Sequence, residues 1–185
     1  MAAIWSLPTT VTVSGEERGI CTDFRDILEI IGILQDQSRE EASRVYVALS
    51  LFYDHLEEIP PGAMQEAAEA MTTFLNCGEA DTGTPAPKTI DWEQDAGIIV
   101  SEVNKVAGTE IRNLEYLHWW TFISYFNGIG EGQLSFVVGI REKRRRGKKL
   151  EPYEQEFFNR NRSVVELKQT LTTEEEDELS KWLGK

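Results

Sequence analysis

Between Tyr116 and Phe126 the chain reads Tyr-Leu-His-Trp-Trp-Thr-Phe-Ile-Ser-Tyr-Phe, six aromatics in eleven residues, with Trp119 and Trp120 adjacent. At about 3.6 residues per turn the spacing predicts a helix in which Trp119, Phe122, Ile123 and Phe126 share a broad face. Tyr116 and Trp120 flank that face, and Leu114, His118, Thr121 and Tyr125 fill the remaining strip. A helix apolar on so many sides is either the central post of a bundle or a surface kept for a partner. It is too short to cross a bilayer, and Asn127-Gly128 stops it. Each aromatic it buries contributes a few kcal/mol, so the rest of the chain has to be shaped to cover it.

The flanking sequence supplies helices to do so. Thr9–Val13 alternates, Ser14-Gly15-Glu16-Glu17 turns and Arg18–Cys21 returns, which predicts a β-hairpin. A lone hairpin is marginal in water and has to lie on something apolar, with Trp5 and Leu7 as anchors. Thr22 or Asp23 caps a first helix to about Gln35, with Phe24, Ile27, Leu28, Ile31 and Leu34 at helical spacing. Ser38 and Glu41 have the spacing of a capping box, and the next helix carries Ala42, Val45, Tyr46, Leu49, Phe52, Tyr53 and Leu56. Pro60-Pro61-Gly62 breaks the chain before a third helix that ends at Gly78. Gly78–Lys88 reads as a flexible loop. A fourth helix starts at Thr89 or Asp91 and closes at Gly108. After Gly128–Gly132 a sixth helix carries Leu134, Val137, Val138 and Ile140 into the basic run Arg141–Lys149. Glu151–Lys168 is expected to be helical. Thr173 and Glu176 have the spacing of a second capping box, before a short stripe of Leu179, Trp182 and Leu183. The expected fold is therefore mainly α, a bundle of about seven helices with an N-terminal β-hairpin.

Charge divides the chain. The net charge of the 185 residues is −13. Residues 1–140 hold 7 Lys+Arg against 22 Asp+Glu, a net −15, and residues 141–185 hold 12 against 10, a net +2. We read residues 1–140 as the hairpin plus an acidic helical core. Residues 141–185 then form a basic helical extension with a short C-terminal amphipathic helix, packed on or next to that core. So acidic a chain argues against duplex nucleic acid as its partner. Cys21 and Cys77 stand alone, which fits a reducing cytoplasm. No apolar run approaches 18 residues, and no basic-then-apolar leader opens the sequence, so neither a membrane span nor a signal peptide is expected.

Chemistry is harder to find. Glu115 and His118 have the Glu-x-x-His spacing of di-iron helices, but no second such motif accompanies them. The expected role of His118 is a buried imidazole bonded to a neighbouring carbonyl. Cys21 lies between a strand and a helix, where a thiolate gains mild stabilisation, although a structural thiol is the simpler reading. Gly128-Ile-Gly-Glu-Gly132 lacks the Gly-Lys-Ser/Thr ending of a phosphate loop and follows a helix, so it reads as a breaker and hinge. Arg141, Lys143, Arg144, Arg145, Arg146, Lys148 and Lys149 are seven cations in nine positions. No aromatics interleave with them as in base-stacking proteins, and they point around the helix. Such a run is expected to meet an acidic surface on a second copy or a client.

Four blocks add a resemblance: Ile20-Cys-Thr-Asp-Phe-Arg25, Phe74-Leu-Asn-Cys-Gly78, Asp91-Trp-Glu-Gln-Asp-Ala96, and Glu115-Tyr-Leu-His-Trp-Trp120 followed by Phe122. With these the chain resembles a family of small proteins from siphophages and prophages of Gram-positive bacteria. Their genes stand just ahead of the tape measure gene. The resemblance implies a phage tail-assembly chaperone in the host bacterial cytoplasm. Such a protein binds the tape measure protein, helps to recruit the tail tube protein, and is absent from the mature virion. It also implies a homo-oligomer, since a coat on a long client needs neighbours. No cofactor, metal or catalytic residue is expected. The expected partner-binding residues are Trp119, Trp120, Phe122, Ile123, Arg144, Arg145, Arg146, Leu179 and Trp182. The rival readings are a minor structural tail component and a nucleic-acid-binding regulator using Arg141–Lys149.

Overall fold

A computed structural model describes residues 6–79 and 88–168. Most of the loop at Gly78–Lys88, the anchor Trp5 and the segment with Thr173, Leu179 and Trp182 lie outside the described residues. Among the described residues two strands and eight α-helices form, so the chain is mainly helical with an N-terminal hairpin. The described residues divide into two compact units, 6–79 with Tyr116–Thr121, and 88–115 with 122–168.

The first unit opens with β1 (Thr10–Val13) paired antiparallel to β2 (Glu16–Gly19). The turn is built on Ser14 and Gly15, both in the left-handed region at φ 53° and 79°, which is what a two-residue hairpin loop needs. The return strand is thus earlier than the expected Arg18–Cys21, because the two-residue turn sets Glu16 directly opposite Val13, and Ile20, still bonded to Thr9 O, also bridges Tyr53. β1 lies on α3 (Met64–Leu75), and Val13 is fully buried. Asp23 caps α1 (Phe24–Gln35), its carboxylate accepting from Arg25 N at 3.0 Å.

α2 (Glu41–Phe52) departs from the sequence reading at both ends. Ser38 gives its N–H and hydroxyl to Asp36 Oδ1, so the local carboxylate outcompetes the capping box, and Glu40 caps without a side-chain bond. At the other end the helix stops at Phe52, short of Leu56. Cys21 N donates to Phe52 O at 2.8 Å and Asp54 N to Gly19 O at 3.1 Å. A strand-like pairing with the chain leaving the hairpin therefore replaces one helical turn. Pro60–Gly62 gives a 3-10 turn at Pro61–Ala63, and after α3 stops at Leu75 the chain turns away through Cys77 and Gly78, both at positive φ.

The second unit contains α4 (Ala96–Ala107), α6 (Gln133–Arg145), α7 (Pro152–Arg160) and α8 (Arg162–Val165). α4 begins later than Thr89 or Asp91. Asp91 Oδ1 accepts from Glu93 N and Gln94 N, and Asp95 Oδ2 accepts from Asp91 N, which closes a separate turn first. Gly108 ends α4 at φ 69°. Glu151–Lys168 is two helices instead of one, interrupted at Asn161, whose side chain donates to Phe157 O. Ile140, Phe158 and Val165 form a local core with Phe136, Leu150 and Phe157. α5 (Trp119–Asn127) has its first three residues in the first unit and the remainder in the second.

Candidate partner-binding surface

The aromatic helix starts at Trp119, one turn later than the reading from Tyr116. Residues 116–118 are extended because they pair with residues 22–24. Phe24 N donates to Leu117 O at 3.0 Å, Trp119 N donates to Thr22 O at 2.7 Å, and Asp23 bridges His118. Asp23 ties the joint from the side chain as well, Oδ2 accepting from Leu117 N at 3.0 Å and both oxygens from Arg25 Nη1. Tyr116, half exposed, shares a 2.7 Å hydrogen bond with the Thr22 hydroxyl.

His118 is buried, and both ring nitrogens are committed. Trp120 N donates to Nδ1 at 3.0 Å, so Nε2 carries the proton and donates to Pro8 O at 2.9 Å. This is the carbonyl-bonded imidazole read from the sequence, and it leaves neither lone pair for an ion. Glu115 is exposed.

The two indoles act as a pair. Trp119 Nε1 donates to Leu75 O and Trp120 Nε1 to Phe74 O, each at 3.0 Å. These carbonyls belong to the last turn of α3, past the end of its regular ladder, and Phe74 O also accepts from Cys77 N at 3.0 Å. Adjacent tryptophans thus cap adjacent carbonyls. Trp119 and Phe122 are buried, and Trp120 and Ile123 are half-buried. Trp120 also packs against Phe74 with ring centroids 5.8 Å apart, and a Cβ at Gly78 would lie 3.3 Å from its ring. Three of the four sequence blocks, at residues 20–25, 74–78 and 115–120, therefore meet in one joint of the first unit.

The remaining block, residues 91–96, contains Asp95, which the structure places against the first residue of the basic run. Arg141 and Asp95 are both buried and form a two-pronged ion pair, Nη1 to Oδ2 at 2.6 Å and Nη2 to Oδ1 at 2.8 Å. The same guanidinium donates to the carbonyls of Thr89, Val164 and Val165 at 2.7–2.8 Å. Arg141 is therefore an internal strut of the second unit and cannot reach a phosphate. The sequence held one signal for this: Leu134, Val137, Val138 and Arg141 fall at i, i+3, i+4 and i+7, so Arg141 takes the next place on the apolar stripe.

Lys143, Arg144, Arg145 and Arg146 are also engaged. Lys143 bonds both oxygens of the buried Glu154 at 2.6 and 2.8 Å. Arg144 lies 3.9 Å over the Phe158 ring and pairs with Glu166 at 3.1 Å. Arg145 and Arg146 share Glu142, whose carboxyl their hydrogen bonds hold down to about 2. Arg144, Arg145 and Arg146 are exposed, three cations held by the two carboxylates Glu142 and Glu166. Lys148 and Lys149 are exposed and have no carboxylate partner among the described residues. Leu179 and Trp182 lie outside the described residues.

The remaining chemical candidates are likewise absorbed. The start of α6, which the glycine-rich stretch leads into, is filled by the chain itself. Glu102 Oε1 accepts from Gln133 N at 3.3 Å and Ser135 Oγ from Gly132 N at 2.9 Å. Burial, with a hydrogen bond to Asp26, pushes the Cys21 thiol up to about 11, the reverse of a stabilised thiolate. At about pH 8 its thiolate fraction is then roughly a hundredfold below that of an ordinary thiol. Alkylation of Cys21 in the native chain should be slower by a similar factor and recover in urea. Mass-spectrometric mapping of labelled Cys21 reads this directly, and native labelling at the rate of a free thiol would contradict it.

Among the described residues no helix is long and apolar enough to cross a membrane. Comparison with curated proteins and with solved structures finds no match. The blocks at residues 20–25, 74–78, 91–96 and 115–120 sit at the structural joints of both units, so a sequence pattern that records them should run through nearly the whole fold. Such a pattern exists: the family model described as Bacteriophage Gp15 protein matches residues 5–167, and the chain belongs to that bacteriophage family.

Proposed function

We propose that the chain is a phage tail-assembly chaperone. In this reading it works in the host bacterial cytoplasm, binds the tape measure protein, helps to recruit tail tube subunits, associates with further copies of itself, and leaves before the virion is complete. It makes and breaks no covalent bond. The observation that carries the reading is the match of a bacteriophage family over residues 5–167, taken with the four blocks that resemble proteins encoded beside the tape measure gene. The geometry supports it in one further respect. The residues with reactive potential are spent on structure: His118 on two backbone groups, and Arg141 on Asp95 and three carbonyls. The first unit exposes many carboxylates, with Leu7, Tyr46 and Leu51 among them, as suits a cover for greasy helices.

Coexpression with the tape measure protein tests the reading. The client should move from the pellet to the soluble fraction and copurify with this chain. A client equally insoluble with and without the chain removes the basis for a chaperone. Mass spectrometry of purified virions separates this reading from the minor-component rival, which requires the chain to be present in them.

A further inference from the structure

Ala48, Leu49 and Phe52 form the buried face of α2. Tyr46 and Leu51 stand on opposite flanks of that face, about 140° apart around the helix, and are 63% and 43% exposed. Tyr46 is the most exposed large apolar side chain among the described residues, and its isolation sets it apart. Tyr153, nearly as exposed, stacks on Phe136 with centroids 6.0 Å apart, and Tyr116 is bonded to Thr22. Tyr46 has no ring or hydrogen-bond partner among the described residues.

Tyr46 stands at a groove of about 350 Å³ in the first unit, whose walls include Ile59, Pro61, Met64, Asp54 and Glu57. That volume is at the lower end of the range for binding pockets and suits one or two entering side chains. Neither Asp54 nor Glu57 is paired with Lys or Arg among the described residues, whereas the nearby Glu58 holds Arg18 at 3.1 Å. The surroundings deepen the negative field. Residues 6–79 and 116–121 contain 4 Arg and no Lys against 14 Asp and Glu, a net −10. A slot of mixed apolar and polar walls, whose Asp54 has no cationic partner among the described residues and whose Glu57 meets only His55 at 3.4 Å, is complementary to an apolar side chain flanked by cations.

We infer that this groove is the docking site for a cationic amphipathic helix of the client, a step that rests on the chaperone reading above. An apolar side chain of that helix enters beside Tyr46 and Met64, and its Lys or Arg residues meet Asp54 and Glu57. A second copy of the chain is a poorer occupant. A two-fold contact through this face sets acid against acid.

The probe is a synthetic peptide of about 18 residues, long enough to be helical when bound, with leucines at i, i+3, i+4, i+7 spacing and lysines beside them. A counterpart carries glutamate in place of each lysine. Fluorescence anisotropy with the full chain should show binding of the lysine peptide alone. Tyr46→Ala should weaken it about 10- to 30-fold, as for an interface anchor, and Glu57→Lys should weaken it further as salt is lowered. Both side chains are exposed, so unchanged far-UV circular dichroism serves as the folding control. Equal affinity for the two peptides, or affinity untouched by both substitutions, overturns the inference. So does a fall in molar mass by light scattering for Tyr46→Ala with peptide binding unchanged, which would make the face a self-contact. Coexpression separates this failure from that of the chaperone reading. If Tyr46→Ala/Glu57→Lys keeps the tape measure protein as soluble as the wild type does, the groove fails and the chaperone stands. If the wild type itself gives no solubility, the chaperone fails and the peptide experiment alone decides the groove.

Discussion

Replacing Arg141 with methionine is expected to destabilise the second unit by about 3–5 kcal/mol. The change leaves three carbonyls and the buried Asp95 carboxylate without their donor. Burying a charge alone costs far more than a paired charge gains, so the loss comes chiefly from what stays behind. The double change Arg141→Met/Asp95→Leu should therefore cost less than the two single changes together. Urea denaturation followed by circular dichroism, run as a double-mutant cycle, measures this. A single-mutant effect below about 1 kcal/mol would mean that water reaches the pair and screens it. The same change should leave any peptide binding at Tyr46 intact, since Arg141 belongs to the second unit and the groove to the first.

Trp119→Ala is expected to cost about 3–5 kcal/mol, the usual range for emptying a buried aromatic site. Trp119 is 2% exposed, and its indole N–H is the donor to Leu75 O. Trp119→Phe divides the effect. It keeps most of the apolar area but leaves the carbonyl unpaired, a loss of about 1–3 kcal/mol. Trp120→Phe should cost less, because Trp120 is only half-buried and water can replace its N–H at Phe74 O. Denaturation midpoints of the three variants rank these losses. If Trp119→Phe is as stable as the wild type, the indole cap contributes nothing, and Trp119 matters for its volume alone.

The blocks that carry the family resemblance are joints. Asp23, Phe74, Leu75, Asp95, His118 and Trp119 hold segments together that lie far apart in the chain. The surface inferred to meet the client lies elsewhere, at Tyr46, Asp54 and Glu57, outside all four blocks. A motif that identifies the family is therefore a poor guide to its binding face, and substitutions in the blocks should act on stability before they act on a partner.

The sequence by itself determined where most helices run. Apolar spacing gave α1, α3, α4 and α6, Asp23 marked the cap of α1, and Gly78 and Gly108 marked helix ends, because each signal acts between residues a few positions apart. The tertiary structure alone decided what depends on distant partners. Residues 116–118 are extended because they pair with residues 22–24, α2 stops at Phe52 because Cys21 takes its carbonyl, and Arg141 is buried because Asp95 is there to receive it. Local periodicity fixes the form of a segment only while no remote backbone group or charge offers it a better partner, and that partner is chosen when the segments fold together.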